Sequence, residues 1–486
     1  MVLSSYRERA LRRMATTSHI PQVLKAAMSA CYLSSTTNDD EEEDYDSWAH
    51  FYDLSSVEKT LHNLTATFPS HFLHAFAVKA NPLRSILELM VNHKLGMECA
   101  SFNEVLHSIN NAGCAPSNVV FDSPCKTHKE LDECLKRGVL INCDNFDEME
   151  RVAHLIEKNT KNTKNKNNKT RNNQQQYTAV QVGLRINPLL GLGTIEALSV
   201  STTDSKFGIP LTTENRQRIL KSFQQYSWLT GLHSHVGSQG CGIDMLIAGV
   251  QCLVQLANDI DAYVRKAPEE QKEQLEELPR IQFLDIGGGL PTNFESDECL
   301  PTFEQYATCL KKSCPDLFEM SHRRVITEFG RAIICKAGWT CSRVEFVKVA
   351  PDETHKRILI THAGSDMFLR TCYCPQSFPL RIFALTENMI KQKKTNAPAP
   401  LVVTDVAGPL CFGGDKIGRA VLLPSNINVG DFVVVRDTGA NCLSMWSRHC
   451  SRSAPQVIGY RTEGTEIELV VLKAKETPEQ VLSFWG

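Results

Sequence analysis

The stretch AFAVKANPLRSILELMVNHKLGMECAS, residues 75–101, decides the fold. It opens on a short β-rich apolar run, Ala75–Lys79, continues through a segment with apolar residues at helical spacing, and closes on a second such run, Gly96–Ser101. Strand, helix and strand in that order form a βα unit, and repeating it builds a parallel sheet. The alternation continues downstream in Val119–Asp122, Val139–Asp144, Val180–Ile186, Leu229–Val236, Ile281–Gly287 and Val325–Phe329. Eight strands, each followed by a helix over roughly 260 residues, predict a (β/α)8 barrel.

Outward from the barrel the pattern changes. Beyond Arg331 come β-branched runs separated by turns, Arg343–Val349, Arg357–Thr361, Leu401–Val406, Asp431–Asp437 and Glu466–Leu472, which predict a mostly antiparallel β domain. The expected class is α/β, a (β/α)8 barrel over 74–334 followed by that β domain over 335–486. Residues 45–73 are expected to pack on the β domain. Residues 1–44 are read as a disordered or targeting segment, because Arg7, Arg9, Arg12, Arg13 and Lys25 face few acids before the acidic run Asp39–Asp46. The Asn-, Lys- and Gln-rich tract 158–176 cannot bury a core and is expected to be a disordered insertion, and Pro268–Pro279 a Glu/Gln-rich extension of a helix.

Composition excludes several classes. With 42% apolar and 22% charged residues the 486-residue chain is a folded globular protein, and a formal net charge of -3 offers no broad positive field to nucleic acid or an anionic membrane. No run of eighteen apolar residues or secretory signal stands out, so no membrane span is expected and the protein is read as soluble and intracellular, in the cytoplasm or an organellar matrix. The 18 cysteines lack zinc-ligand spacing, so reduced thiols and no metal site are expected.

A barrel carries its chemistry at the C-terminal ends of its strands. Those ends hold Lys79, Glu98 and Ser101, Asp122, Asp144, Arg185, His235, Gly287–Gly289, and Glu328 with Arg331. Singly each is a loop-facing polar residue, but together they describe a pocket with an amine, an imidazole, carboxylates and a glycine-rich anion cradle. Lys79 lies among apolar neighbours that are expected to lower its proton affinity and free a Schiff-base amine. The backbone of Gly287, Gly288 and Gly289 can approach a phosphate without Cβ interference, Arg331 can clamp the same group, and Ser238 can add a hydroxyl. Amine, phosphate cradle and carboxylate are what pyridoxal 5'-phosphate requires.

FAVKANP, GMECASFNEV, SKFGI (205–209), HSHVGSQ (233–239), DIGGGLP, EFGR and GPLCFGGD (408–415) occur in order across about 50–460. The chain therefore resembles the ornithine/diaminopimelate decarboxylase family of fold-type III pyridoxal-phosphate enzymes, nearest its diaminopimelate branch. The resemblance implies that Lys79 holds the cofactor covalently, that His235 stacks on its ring, and that Ser238, Gly287–Gly289 and Arg331 bind its phosphate. It assigns Glu328 to the pyridinium nitrogen and counts Arg185 and Asn441 among the cofactor contacts. Cys411 becomes the proton donor to Cα, supplied with Asp415 across a homodimer interface into a shared active site.

The substrate side departs from the family pattern. The acid that usually follows the motif cysteine is Phe412, the usual GAY is Gly439-Ala-Asn441, the DAG element is His362-Ala-Gly364, and Tyr373 stands one position early beside Cys374. Arg370 remains where the diaminopimelate branch binds a distal carboxylate. Arg331, Arg370, Tyr373, Phe412 and Asp415 are the expected substrate contacts for a small amino acid. The leading expectation is decarboxylation of meso-diaminopimelate to L-lysine and CO2. The alternatives are a decarboxylase for an amino acid lacking the usual distal ammonium, an amino-acid racemase, which Glu328 argues against, and a pseudoenzyme resembling antizyme inhibitor.

Overall fold

The computed structural model describes residues 19–34, 46–164, 177, 180–266, 279–319, 322–352, 356–391 and 399–486. The chain divides into two compact units, one formed by the stretches up to Thr60, Asn293–Cys299 and Ile333–Gly486, the other by Leu61–Thr292 and Leu300–Ala332.

After strand β1 (Trp48–Asp53) of the first unit, the second unit is the expected barrel. Its strands are β2 (Phe72–Ala77), β3 (Gly96–Cys99), β4 (Val119–Phe121), β5 (Leu140–Cys143), β6 (Val182–Asn187), the two-residue β7 (Ile209–Pro210), β8 (Leu229–His233), β9 (Phe283–Gly288) and β10 (Arg324–Glu328). All pairs are parallel, and β5 pairs with β6 so that eight strands close a ring while β7 adds only to β6. Leu73, Ala75, Val120, Leu140, Phe283 and Ile326 fill the interior, so the barrel is a packed core and not a pore. Helix Ile243–Arg265 is long and apolar enough to cross a membrane. Its apolar positions, including Leu246, Leu253, Leu256 and Ile260, are buried in this unit, which is the arrangement of a core helix.

The first unit is built on β1 with β11 (Gly338–Val349), β12 (Arg357–Thr361), β13 (Ile382–Leu385), β14 (Leu401–Ala407), β15 (Lys416–Pro424), β16 (Phe432–Arg436), β17 (Gln456–Glu463) and β18 (Glu466–Lys473). Pairing is antiparallel except for β1 with β17 and β12 with β14. β1, β13, β15 and β17 are strands that no run in the sequence announced. β1 is buried nearly throughout, so it shows no alternation. β15 has a Gly418-Arg-Ala420 interruption, with Ala420 at φ +51°.

Three expectations need correction. Residues 19–34 of the supposed tail are folded: helix α1 (Ile20–Ser29) starts with Pro21 in its first turn and buries Ile20, Val23, Leu24 and Ala27. That i, i+3, i+4, i+7 stripe packs with Phe51, Trp339, Phe383, Phe432, Ile458 and Tyr460, and the Ser/Thr-rich flanks masked it in the sequence. Residues 1–18 and the acidic run before Asp46 lie outside the described residues. The polar tract does not begin at 158, since helix Phe146–Lys164 runs through its first residues; 165–176 lies outside the described residues, as does most of 268–279. Residues 61–73 group with the barrel, because Phe68 and Phe72 pack against His74 and Phe318. In the opposite sense, Asn293–Cys299 groups with the β unit, where Asp297 meets Arg381 at 2.5 Å and Arg436 at 2.9 Å.

Leu24→Ala should lower the free energy of unfolding by about 2–5 kcal/mol, the range for emptying a fully buried leucine site. Urea denaturation checks this, and an unchanged midpoint would remove α1 from the core.

Candidate active site

Parallel strands bring their C-terminal residues into one ring, and here that ring is lined with buried charge. Lys79 follows β2 in a single 3-10 turn, Val78–Ala80. Its Nζ donates to both oxygens of Glu98, at 2.8 and 2.7 Å, from the adjacent strand β3. The sequence expectation of a lowered lysine proton affinity is overturned. Burial does push it down, but Glu98, Glu328 and Asp122 outweigh burial and hold it above the ordinary lysine range. Burial pushes Glu98 up to about 7 against the opposing charge of Lys79.

Arg185, on β6, donates to Asp122 at 2.8 Å, has Asp144 at 4.0 Å, and stacks its guanidinium 4.5 Å over Phe207 of the SKFGI segment. Asp285, on β9, accepts from Asn142 Nδ2 at 3.0 Å and from the N–H of Gly287 at 3.1 Å. Burial, then the charge of Glu328, pushes its carboxyl well up. Glu328 ends β10 and is buried, with Oε2 3.5 Å from both His233 Nε2 and His235 Nδ1.

The glycine run turns this ring into a cradle. Gly287 and Gly289 have φ of +67° and +87°, the left-handed region that favours glycine. A Cβ at Gly288 would collide with the carbonyl oxygen of Glu328, and one at Gly289 with that of Gly237. The cradle thus lies against both the Glu328 loop and the turn carrying Ser238, which is pinned by its N–H to Leu198 O at 3.1 Å. Gly288 N–H also donates to His235 Nδ1 at 3.2 Å, so that nitrogen is an acceptor; burial lowers the proton affinity of the ring, and His235 is neutral.

These residues fit pyridoxal phosphate by their own chemistry. Glu328 Oε1 and Arg331 Nε are buried without a hydrogen-bond partner among the described residues, one an acceptor for a protonated ring nitrogen and the other a donor for a phosphate. Asp122, His233 and Glu328 also lie close enough together to hold a metal ion. Arg185 beside Asp122 already supplies a cation there.

In the β unit, Cys411 is exposed on a turn between β14 and β15, where Asp415 N–H donates to Phe412 O at 3.0 Å. The Phe412 ring stacks on Tyr373, with centroids 5.2 Å apart and planes 16° apart. Tyr373 and Arg370 share the short helix Leu369–Tyr373, and the Arg370 guanidinium lies 5.3 Å over Phe378. Asp415, expected at the substrate, anchors its loop: its buried carboxylate accepts from Ser365 N–H at 2.6 Å and Leu410 N–H at 2.7 Å. Asn441 lies beyond β16 in a left-handed conformation, φ +55°. His362 Nε2–H donates to the Glu345 carboxylate, 2.8 Å away.

Sequence reasoning named Glu98 and Asp122 only as polar strand ends and assigned nothing to His233 or Asp285. The signal for His233 was its two-residue spacing from His235 at the end of a strand.

The pyridoxal-dependent decarboxylase family, through its pyridoxal-binding domain, matches residues 54–335. Diaminopimelate decarboxylase of Helicobacter pylori is 24% identical over 423 residues, 87% of this chain and 91% of that protein. The Bacteroides thetaiotaomicron enzyme of the same name is 25% identical over 420 residues, 85% and 95% of the two chains. Among solved structures, the H. pylori enzyme complexed with L-lysine aligns with a TM-score of 0.72 at 22% identity, covering 91% of this chain and 97% of that one. The lysine/ornithine decarboxylase of Vibrio vulnificus complexed with cadaverine aligns at 0.66 and 17%, covering 92% and 97%. With a lysine, a glycine cradle and a buried acidic partner in one barrel mouth, and the pyridoxal-binding domain matched over more than half its length, the chain belongs to the pyridoxal-dependent decarboxylase family.

Proposed function

We propose that this chain decarboxylates a small amino acid in the mouth of its barrel, and that meso-diaminopimelate, giving L-lysine and CO2, is the substrate. The observation that carries the reaction type is Glu328, a buried carboxylate with one oxygen 3.5 Å from two imidazoles and the other unsatisfied among the described residues. Pyridoxal phosphate, when bound, supplies the electron sink for the pair released as the bond from Cα to the carboxylate breaks. Glu328 would hold the proton on the ring nitrogen, a role an arginine, the racemase choice, could not fill. Gly287–Gly289, Ser238 and Arg331 would hold the phosphate through backbone N–H groups, a hydroxyl and a guanidinium.

Lys79 needs a neutral Nζ to attach the cofactor, and Glu98 is the group placed to take its proton. The carboxylate touches Nζ, 2.7 Å away, which is the geometry a proton acceptor for the amine needs. His235 would present a neutral ring to the cofactor. Cys411, exposed on its turn, would return a proton to Cα, acting in a homodimer from one subunit into the other's site. The relatives named for diaminopimelate support the substrate. So does Arg370, a cation suited to a distal carboxylate.

A second reading has an observation of its own. The stacked Phe412–Tyr373 pair gives the turn beside Cys411 an aromatic face, with Tyr373 61% exposed. Such a face attracts an ammonium by only about 0.5–2 kcal/mol and without the direction of a carboxylate. It favours an amino acid without the distal ammonium.

Incubation with pyridoxal phosphate and a panel of amino acids in deuterated water, followed by mass spectrometry, tests both readings. Lysine carrying one deuterium on the carbon that lost CO2, its Cε, is the expected product from meso-diaminopimelate; turnover of an apolar or acidic amino acid alone would select the second reading. Exchange without loss of CO2 would reject decarboxylation.

Lys79→Ala should abolish the absorbance that added pyridoxal phosphate acquires on the protein, and a variant that retained it would place the attachment at another lysine. Cys411→Ala should keep that absorbance but lower kcat about 10²- to 10⁴-fold, the contribution of a positioned proton donor. Unchanged turnover and product would remove Cys411 from the reaction.

A further inference from the structure

We infer that His233 is a positioning residue, the buried cation that bridges Asp122 and Glu328 and fixes Glu328 as an ionised acceptor in the barrel mouth. Its consequence for turnover rests on the decarboxylase reading; its geometry does not. His233 ends β8 with none of its side chain exposed, Nδ1 3.4 Å from Asp122 Oδ1 and Nε2 3.5 Å from Glu328 Oε2. An ionised carboxylate only accepts hydrogen bonds, whereas a neutral imidazole has one N–H and one lone pair. A neutral ring would aim its lone pair at one of the two acids; an imidazolium presents an N–H to each. At these separations the attraction is mainly charge on charge, strengthened by exclusion of water.

The surroundings leave this position to His233. Lys79 is engaged by Glu98, and Arg185 by Asp122. Asp285 is served by Asn142 and the N–H of Gly287. Two imidazoles lie within 4 Å of Glu328, and His235 receives the Gly288 N–H and is neutral. Two histidines two residues apart thus hold opposite protonation states, each set by what faces its nitrogens. The electrostatics agree with that arrangement. Burial opposes charge on His233, and Asp122, Glu328 and Asp285 outweigh it, holding the ring well above the ordinary histidine range. Burial also opposes ionisation of Glu328, and His233 leads the groups that hold it well below the ordinary range.

The test has two arms. In ¹⁵N-histidine-labelled protein without cofactor, assigned with His233→Gln, both ring nitrogens of His233 should carry protons at about pH 8 while His235 carries one. A His233 ring that is neutral there, or that titrates with the ordinary value of about 6.5, overturns the inference. In the loaded enzyme, His233→Gln removes the charge while keeping a polar side chain. Glu328 then ionises only at higher pH, so the acid limb of kcat/KM should move up by about one unit or more, with kcat about 10- to 100-fold lower. A uniform loss at every pH with the limb unmoved would reduce His233 to a structural role and overturn the inference. Should the variant fail to fold, the resonances of the unaltered protein decide. A protein that turned over no amino acid but showed the doubly protonated ring would fail the decarboxylase reading and retain this one.

Discussion

The carboxylates Glu98, Asp122, Asp285 and Glu328 are buried at the C-terminal ends of the barrel strands, and the site depends on how each is met. Burying a charge is costly unless a partner compensates it, and the partners here come from other strands: Lys79 after β2, Arg185 on β6, His233 on β8, and Asn142 on β5. The network therefore couples the register of the barrel to the protonation of its mouth. A slip of one strand would turn its partner group to the other face and leave a buried acid without compensation.

The glycine run belongs to the same constraint. Because Gly288 has no side chain, β9 can close on the carbonyl of Glu328 and deliver an N–H to His235. One close approach thus sets the distance between the cradle and the acid and also fixes which nitrogen of His235 is bare. The anion site and the neutral imidazole are consequences of a single backbone contact.

The sequence made the barrel legible because its strands are apolar runs at regular intervals separated by helical periodicity, the signal least affected by tertiary context. The site was legible in part for a related reason, since strand ends are easy to locate and Lys79, Glu328 and the glycines stand there. Their electrical states were not legible. Lys79 has apolar neighbours in sequence, but Glu98, nineteen residues away, meets it in space and reverses the sign of its shift. In the β unit the strands were half legible: β1 is buried nearly throughout and lacks alternation, and α1 hides its stripe among Ser and Thr.

The turn around Cys411 separates its shape from its recognition. Asp415 spends its carboxylate on the N–H groups of Ser365 and Leu410, and a Cβ at Gly364 or Gly408 would run into that carboxylate. The path of the turn is therefore set by Asp415 and the glycines against it, without help from the side chain at 412. Residue 412 is left to determine what the turn offers to its surroundings, and a phenyl ring on Tyr373 offers an apolar face. An ammonium moved from water onto that face would lose hydration for a weak, poorly directed attraction, whereas an apolar chain would lose nothing polar. Arg370, on the short helix that also carries Tyr373, offers a charge of the kind that suits a carboxylate.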